Sequence, residues 1–309
     1  MTAAPPLVVV AGVTATGKTE LAIRLGEAIA AAGRPVTIIS ADSRQVYRGL
    51  DIGTAKVTAA DRERVPHAGV DLTDPDQPFS VADFVTHAGA VLDEVAAQDG
   101  VALLAGGTGL YLRAVARGLD IASLPHDDAI RARIEAELVA EGLDALVTRL
   151  ETLAPARAAA IDRANPRRVT RALEIAEIVG DAAPPASRGY PGPIAWIGLS
   201  VEPPTHRTWI ESRARAQFEA GLIEEARALR ERFDPGLPAF SAIGYREAWA
   251  VLDGDMAVDA AIDVDAQRNV AFSRRQRTWF RAEPGVRWLD VTRQDPFDRA
   301  IELTRRVID

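Results

Sequence analysis

Gly12-Val-Thr-Ala-Thr-Gly17-Lys18-Thr19 fits the spacing G-x-x-x-x-G-K-[ST]. It follows a run of valines and opens the helical pattern Leu21, Ala22, Leu25. Backbone N–H groups of such a loop can close around phosphate oxygens. The helix N-terminus adds positive potential, Lys18 a full charge and Thr19 a hydroxyl for Mg²⁺. The loop does not by itself say whose phosphates are held. NTPases of this type place an acid at the end of a later strand to help hold Mg²⁺. Here Val101-Ala-Leu-Leu-Ala105 runs straight into Gly106-Gly-Thr108. That departure favours a phosphate-binding transferase over a motor or switch and leaves a kinase open. Two more groups belong at the same crevice. Asp42 follows the strand-like run ending at Ser40, where a carboxylate can take a proton or help order Mg²⁺. Thr108 follows a Gly-Gly turn that lets a hydroxyl or N–H approach a ligand closely.

Those positions require strands that end together. Leu7–Ala11, Val36–Ser40 and Val101–Ala105 are short apolar runs alternating with helical patterns, which indicates a parallel sheet with crossover helices. From about Asp127 to Gly180 the apolar positions Ile130, Ile134, Leu138, Leu143 and Leu146 take helical spacing. The chain therefore reads as an α/β fold, a P-loop parallel-sheet core with helices on both faces, plus a helical insertion domain. The expected segments are 1–121 for the first part of the core, 122–190 for the insertion and 191–309 for the return. Within the last, Ile194–Val201 reads as a strand, 205–232 and 264–281 as helices, Val286–Val291 as a late strand and 296–307 as a closing helix.

Composition narrows the chemistry. The 309 residues contain no cysteine, which excludes disulfides, Cys-ligated zinc, iron–sulfur clusters and thiol nucleophiles. Apolar runs are far shorter than a membrane span, and the N-terminus lacks the pattern of a secretory signal, so a cytoplasmic location is expected. The net charge of -8 is weak evidence against a nucleic-acid partner. Local clusters run the other way: Arg268, Arg274, Arg275, Arg277 and Arg281 form one, and Arg157, Arg163, Arg167, Arg168 and Arg171 another. For any single arginine a solvated helix face is the simpler explanation, and Tyr245 and Trp279 read individually as core aromatics.

Six blocks in order carry a resemblance. They are the P-loop, Asp42-Ser-Arg-Gln-Val-Tyr47 continuing to Lys56, Gly106-Gly-Thr-Gly-Leu-Tyr111, Asn165 to Glu174, Ala242-Ile-Gly-Tyr-Arg246, and Arg274-Arg-Gln-Arg-Thr-Trp279. Together they resemble the tRNA dimethylallyltransferase (isopentenyltransferase) family from about residue 8 to 290. The resemblance implies that Gly12, Val13, Thr14, Ala15, Thr16, Gly17, Lys18 and Thr19, with Arg213, hold dimethylallyl diphosphate, and that Thr19 and Asp42 attend Mg²⁺. It implies that N6 of the adenine beside the anticodon attacks the allylic carbon, with Asp42 as general base and Thr108 at the target nucleotide. Lys18 and Thr19 would stabilise departing diphosphate. RNA contact would fall to Asp42, Ser43, Arg44, Gln45, Thr108, Arg131, Arg167, Arg168, Arg171, Gly244, Tyr245, Arg246, Arg274, Arg275, Gln276 and Arg277. The expected partners are a tRNA anticodon stem-loop and dimethylallyl diphosphate, with no membrane, and the chain is expected to be a monomer.

Asn269-Val270 stands where the family usually has Thr-Arg, and Gly180-Asp181 followed by Pro184-Pro185 where it tends to have Gly-Lys or Gly-Arg. Rival readings are an adenylate isopentenyltransferase acting on free AMP or ATP, a small-molecule P-loop kinase, and a non-catalytic RNA-binding P-loop protein.

Overall fold

The computed structural model describes residues 3–121, 123–183 and 185–309. The expected first residue of the insertion, Ala122, and Pro184 of the departing segment lie outside the described residues. The chain divides into two compact units, Met1–Gly118 with Gly189–Asp309, and Leu119–Arg188.

In the first unit the elements run β1 (Leu7–Gly12), α1 (Lys18–Ala31), β2 (Val36–Ser40), α2 (Ala59–Arg64), β3 (His67–Ala68), α3 (Val81–Ala97), β4 (Val101–Gly106) and α4 (Gly109–Ala116). The second unit contributes α5 (Asp128–Glu141), α6 (Leu143–Leu153), α7 (Pro155–Ala160) and α8 (Pro166–Val179). The first unit resumes with β5 (Ile194–Ser200), α9 (Pro203–Glu219), α10 (Leu222–Arg230), α11 (Tyr245–Leu252), α12 (Val258–Arg281), β6 (Arg287–Asp290) and α13 (Phe297–Ile308).

All six strands pair in parallel, in the order β3-β2-β4-β1-β5-β6. Parallel strands covered on both faces read as continuous apolar runs, which is why β1 and β4 showed no alternation in sequence. Leu7, Val9 and Ala11 face a core holding Phe84, Tyr111 and Trp249. Val8 and Val10 face the opposite core, against Leu21, Leu25 and Ile29 of α1 and Leu303 of α13. This is the α/β sheet with helices on both faces. Sequence reading departs from it in three places. The two-residue β3 is too short to show a period. The stretch 205–232 is two helices, because Gly221 at φ 105° breaks it. α12 starts at Val258, earlier than expected, and α11 precedes it.

The second unit has its own core of Ile134, Leu146, Leu150, Val169, Leu173 and Ala176. Glu174 is fully buried there, accepting from Asp127 N–H at 3.0 Å and from Arg131 and Arg171, each within 2.8 Å, with His126 Nδ1 also at 2.8 Å. Burial alone would raise this carboxyl, but the Asp127 N–H, the two arginines and the histidine outweigh it and hold it down to about 2. A depressed folded pKa gives stability that is present above the unfolded value and is lost as pH falls through the folded one. Glu174→Ala should therefore cost this unit about 2 kcal/mol at neutral pH, less than a fully buried ion pair because the arginines are partly exposed. Proteolysis or hydrogen exchange confined to α5–α8 measures it. The difference from wild type should shrink between about pH 4.5 and pH 2.

Candidate active site

The loop between β1 and α1 takes the phosphate-cradle shape. Ala15 adopts φ 57°, in the left-handed region that L-residues rarely occupy. The N–H groups of Ala15, Thr16 and Gly17 meet no protein acceptor among the described residues. The carbonyl of Val13 is held back by Thr16 Oγ1 at 2.8 Å and Lys18 Nζ at 2.6 Å. Donors thus face the crevice and an acceptor is satisfied behind them, as anion binding needs.

Thr14 is fixed through all three of its polar groups. Its N–H donates to Gln276 Oε1 at 2.9 Å, its carbonyl accepts from His206 Nε2 at 2.8 Å, and its Oγ1 accepts from Arg213 at 2.8 Å. His206 Nδ1 in turn accepts from Arg277 at 2.8 Å, so its partners assign a neutral ring with the proton on Nε2. Burial, then the Arg277 and Lys18 charges, push its pKa down, consistent with that form. Burial and the Arg213 charge pull Lys18 down to about 7 against the pull of Asp42. Burial likewise lowers Arg213.

Opposite the cradle, Asp42 closes a turn with one oxygen: Oδ1 accepts from Arg44 N–H at 2.8 Å and from Gln45 N–H at 3.4 Å. No donor reaches Oδ2 among the described residues. Thr108 Oγ1 accepts from Ser43 N–H at 3.0 Å, and Thr108 N–H donates to Ala41 O at 3.1 Å, which pins the ends of β2 and β4 together. Gly106 is required at this crossing, since a Cβ there would sit 2.2 Å from Ala41 O.

Two adjoining cavities result. One, of about 370 Å³, is lined by the P-loop residues Thr14 to Thr19. The other, of about 340 Å³, is lined by Ser43, Thr108, Arg268 and Arg275 among others. Thr14, Asp42, Thr54, Arg213 and Phe272 line both. The structure therefore gathers Asp42, Ser43, Arg44, Thr108, Arg213 and the P-loop, brought from β2, β4, α9 and the first loop.

Other expected residues lie off the wall that the two cavities share. Gln45 is buried, accepting from Ser40 Oγ at 2.8 Å and donating to Thr54 O and Ala55 O. Tyr245 has no exposed surface and donates from its hydroxyl to Glu225 at 2.7 Å. Gln276 is buried between Thr14 N–H and Gly107 O, to which its Nε2 donates at 3.0 Å. The expectation that the Tyr245 side chain touches RNA is corrected, since it has a protein partner and no exposed surface, whereas Gln45 and Gln276, though largely buried by protein partners, line the cradle cavity. Gly244, buried at φ 105°, caps α11 through Glu247. Arg277 is turned inward to His206 and Val201 O. Arg246, Arg274 and Arg275 are exposed and meet no carboxylate among the described residues. In the second unit Arg167 and Arg168 are likewise exposed, whereas Arg131 and Arg171 are engaged by Glu174. Sequence reading did not single out Thr54, although it lies in the block from Asp42 to Lys56, and it missed His206 and Phe272, which belong to no quoted block.

The profile of the IPP transferase family matches residues 45–283. A tRNA dimethylallyltransferase of Kineococcus radiotolerans is 39% identical, covering 98% of this chain and 96% of its own. One of Thermus thermophilus is 42% identical over 90% of each. Among solved structures, the full-length tRNA isopentenylpyrophosphate transferase of Bacillus halodurans superposes with a TM-score of 0.70 at 37% identity, covering 98% of this chain and 95% of that one. A eukaryotic dimethylallyltransferase described as acting on tRNA superposes at 0.80 with 21% identity, a likeness of fold. The profile match across most of the chain and the near full-length identity to these relatives agree with the paired cavities: the chain belongs to the IPP transferase family.

Proposed function

We propose that this protein transfers a dimethylallyl group from dimethylallyl diphosphate to N6 of the adenine beside the anticodon of tRNA. The observation that carries the reading is the meeting of a phosphate cradle and the unpaired oxygen of Asp42 at the junction of two cavities. Its relatives' names supply tRNA and the dimethylallyl group. The diphosphate lies on the N–H groups of residues 15–19, with Lys18 and Arg213 against its oxygens. The adenine enters from the cavity of Ser43 and Thr108, which requires it to leave its stack. The N6 lone pair forms the new C–N bond as the allylic C–O bond breaks, and that electron pair leaves with the diphosphate. Asp42 Oδ2 accepts the N6 proton. N6 is a weak nucleophile, so the main demand is charge stabilisation on the leaving group, which Lys18, Arg213 and the backbone amides meet.

No cluster of three or more metal-ligating side chains exists among the described residues. Thr19 and Asp42 line the cradle cavity. That donor set suits Mg²⁺, which usually binds through one or two protein oxygens and the substrate's phosphates. Bound there, it would neutralise charge on the departing diphosphate. No helix among the described residues is long and apolar enough to cross a membrane. A tRNA substrate supports a cytoplasmic location, and the lining of both cavities by residues of one chain supports a monomer.

The donor is tested by competition. Inorganic diphosphate should inhibit against dimethylallyl diphosphate, and ATP should not be consumed; ATP hydrolysis coupled to product would mean a kinase. A pH effect follows from Lys18. With its free-state pKa near 7, it is largely neutral at pH 8, and a bound diphosphate restores its charge. Diphosphate binding at pH 8 should take up protons, and affinity should weaken by up to about tenfold per pH unit above 7 until the raised pKa of the complex is passed. Titration calorimetry in buffers of different ionisation enthalpy measures the uptake. Lys18→Met should remove it, leaving only the ligand's own titration.

A further inference from the structure

Of the five residues that line both cavities, Thr14, Asp42, Thr54 and Arg213 are polar or charged, and Phe272 alone is apolar. Thr54 directs its hydroxyl to Leu50 O at 2.5 Å, and Thr14 and Arg213 are joined to each other. Phe272 is also the one aromatic side chain on either cavity wall among the described residues. Its place is held from both neighbouring turns of α12. Four residues earlier Arg268 pairs with Glu247, and four residues later Gln276 ties the helix to Thr14 and Gly107. Residues four apart share one face of a helix, so the anchor that fixes the cradle also fixes this ring.

Building on the transfer reaction proposed above, we infer that Phe272 is the prenyl-contact residue, with its ring against the five-carbon group and the π face opposite Arg275, whose guanidinium lies over the ring at 5.7 Å from the centroid, toward the reacting allyl carbons. A group bonded to diphosphate on one side and attacked by a nucleophile at Asp42 on the other must lie at the junction. There it needs one apolar wall. As the C–O bond breaks, its electron pair goes to the diphosphate oxygen and positive charge spreads over the allyl carbons until the nitrogen lone pair closes the new bond. The negative face of an aromatic ring within about 6 Å stabilises such a cation, and more so when water is excluded. Lys18 and Arg213 stabilise the opposite charge on the leaving group, so the two ends of the breaking bond meet complementary surfaces.

Replacing Phe272 by mono-, di- and trifluorophenylalanine keeps the ring's size and drains its π face. Single-turnover transfer from dimethylallyl diphosphate to an anticodon stem-loop should slow stepwise, by about tenfold over the series. Inhibition by inorganic diphosphate should stay at the wild-type level, which a general loss of structure would not allow. Phe272→Ala should raise the rate with geranyl diphosphate relative to dimethylallyl diphosphate, because the wall that limits chain length is gone. A flat rate across the fluorinated enzymes, or an unchanged donor ratio in folded Phe272→Ala, overturns the inference. Should the wild-type enzyme transfer nothing from dimethylallyl diphosphate to RNA, the proposed reaction itself fails. Transfer by wild type with a flat series removes Phe272 alone.

Discussion

Asp42→Asn should lower prenyl transfer to tRNA by about 10²-fold or more while leaving RNA affinity nearly unchanged. The two oxygens of this carboxylate have different surroundings. Oδ1 accepts from the Arg44 and Gln45 N–H groups and shapes the turn after β2, while Oδ2 has no protein donor among the described residues and belongs to a side chain that lines both cavities. An asparagine keeps the Oδ1 acceptor and so preserves the turn. What it removes is the basic oxygen that takes the N6 proton. Asp42→Ala loses both and should fall at least as far, with added disorder at Ser43 and Thr108, whose hydrogen bond depends on the same turn. Single-turnover rates at saturating RNA, paired with direct binding, separate the effects. Full activity in Asp42→Asn would take this residue out of proton transfer.

The second large effect concerns RNA affinity. A chain with net charge -8 can bind tRNA only by presenting cations locally, and Arg274 and Arg275 are exposed on α12 without carboxylate partners among the described residues. Charge-assisted hydrogen bonds contribute about 1.5–3 kcal/mol each, so Arg274→Ala with Arg275→Ala should weaken binding by about 10²-fold or more. Each phosphate contact contributes about 0.7 to 0.9 to the log–log salt slope, and the double variant should flatten it by about 1.4 to 1.8. Arg277 belongs to a different class. It holds His206 behind the P-loop, so Arg277→Ala should disturb diphosphate affinity and leave the salt slope in place. An unchanged slope in the folded double variant would make these arginines a solvated helix face.

The P-loop, Asp42 and Thr108 were legible in sequence because their meaning is local. Each sits at the carboxyl end of an apolar run, and parallel strands bring those ends together. The strands themselves were legible for the same reason, as were the helices of the second unit. The interior was not. Thr14 and Gln276 are 262 positions apart, and helical periodicity says that a residue faces inward without saying what it meets. Gln276 and Arg277 sit among arginines and read as part of an RNA-facing run, yet a helix turns about 100° per residue, so Arg274 and Arg275 can face solvent while Gln276 faces the cradle. His206 and Phe272 carry no spacing signal at all, and Thr54 lies in the Asp42-to-Lys56 block without a spacing that marks it as a site residue. Tyr245 was legible as a core aromatic from its type alone, but its partner Glu225 was not.

Transfer of one dimethylallyl group to RNA at this junction is decided by the identity of the acceptor. Wild-type protein would be incubated with labelled dimethylallyl diphosphate, Mg²⁺ and either an unmodified tRNA anticodon stem-loop or AMP. The RNA would then be digested to nucleosides and the labelled one identified by mass spectrometry. The proposed reaction predicts label on N6 of the adenosine beside the anticodon, with equimolar diphosphate released and little or no label on AMP. Label on AMP with none on RNA would contradict it and assign the exposed arginines of α12 some other purpose.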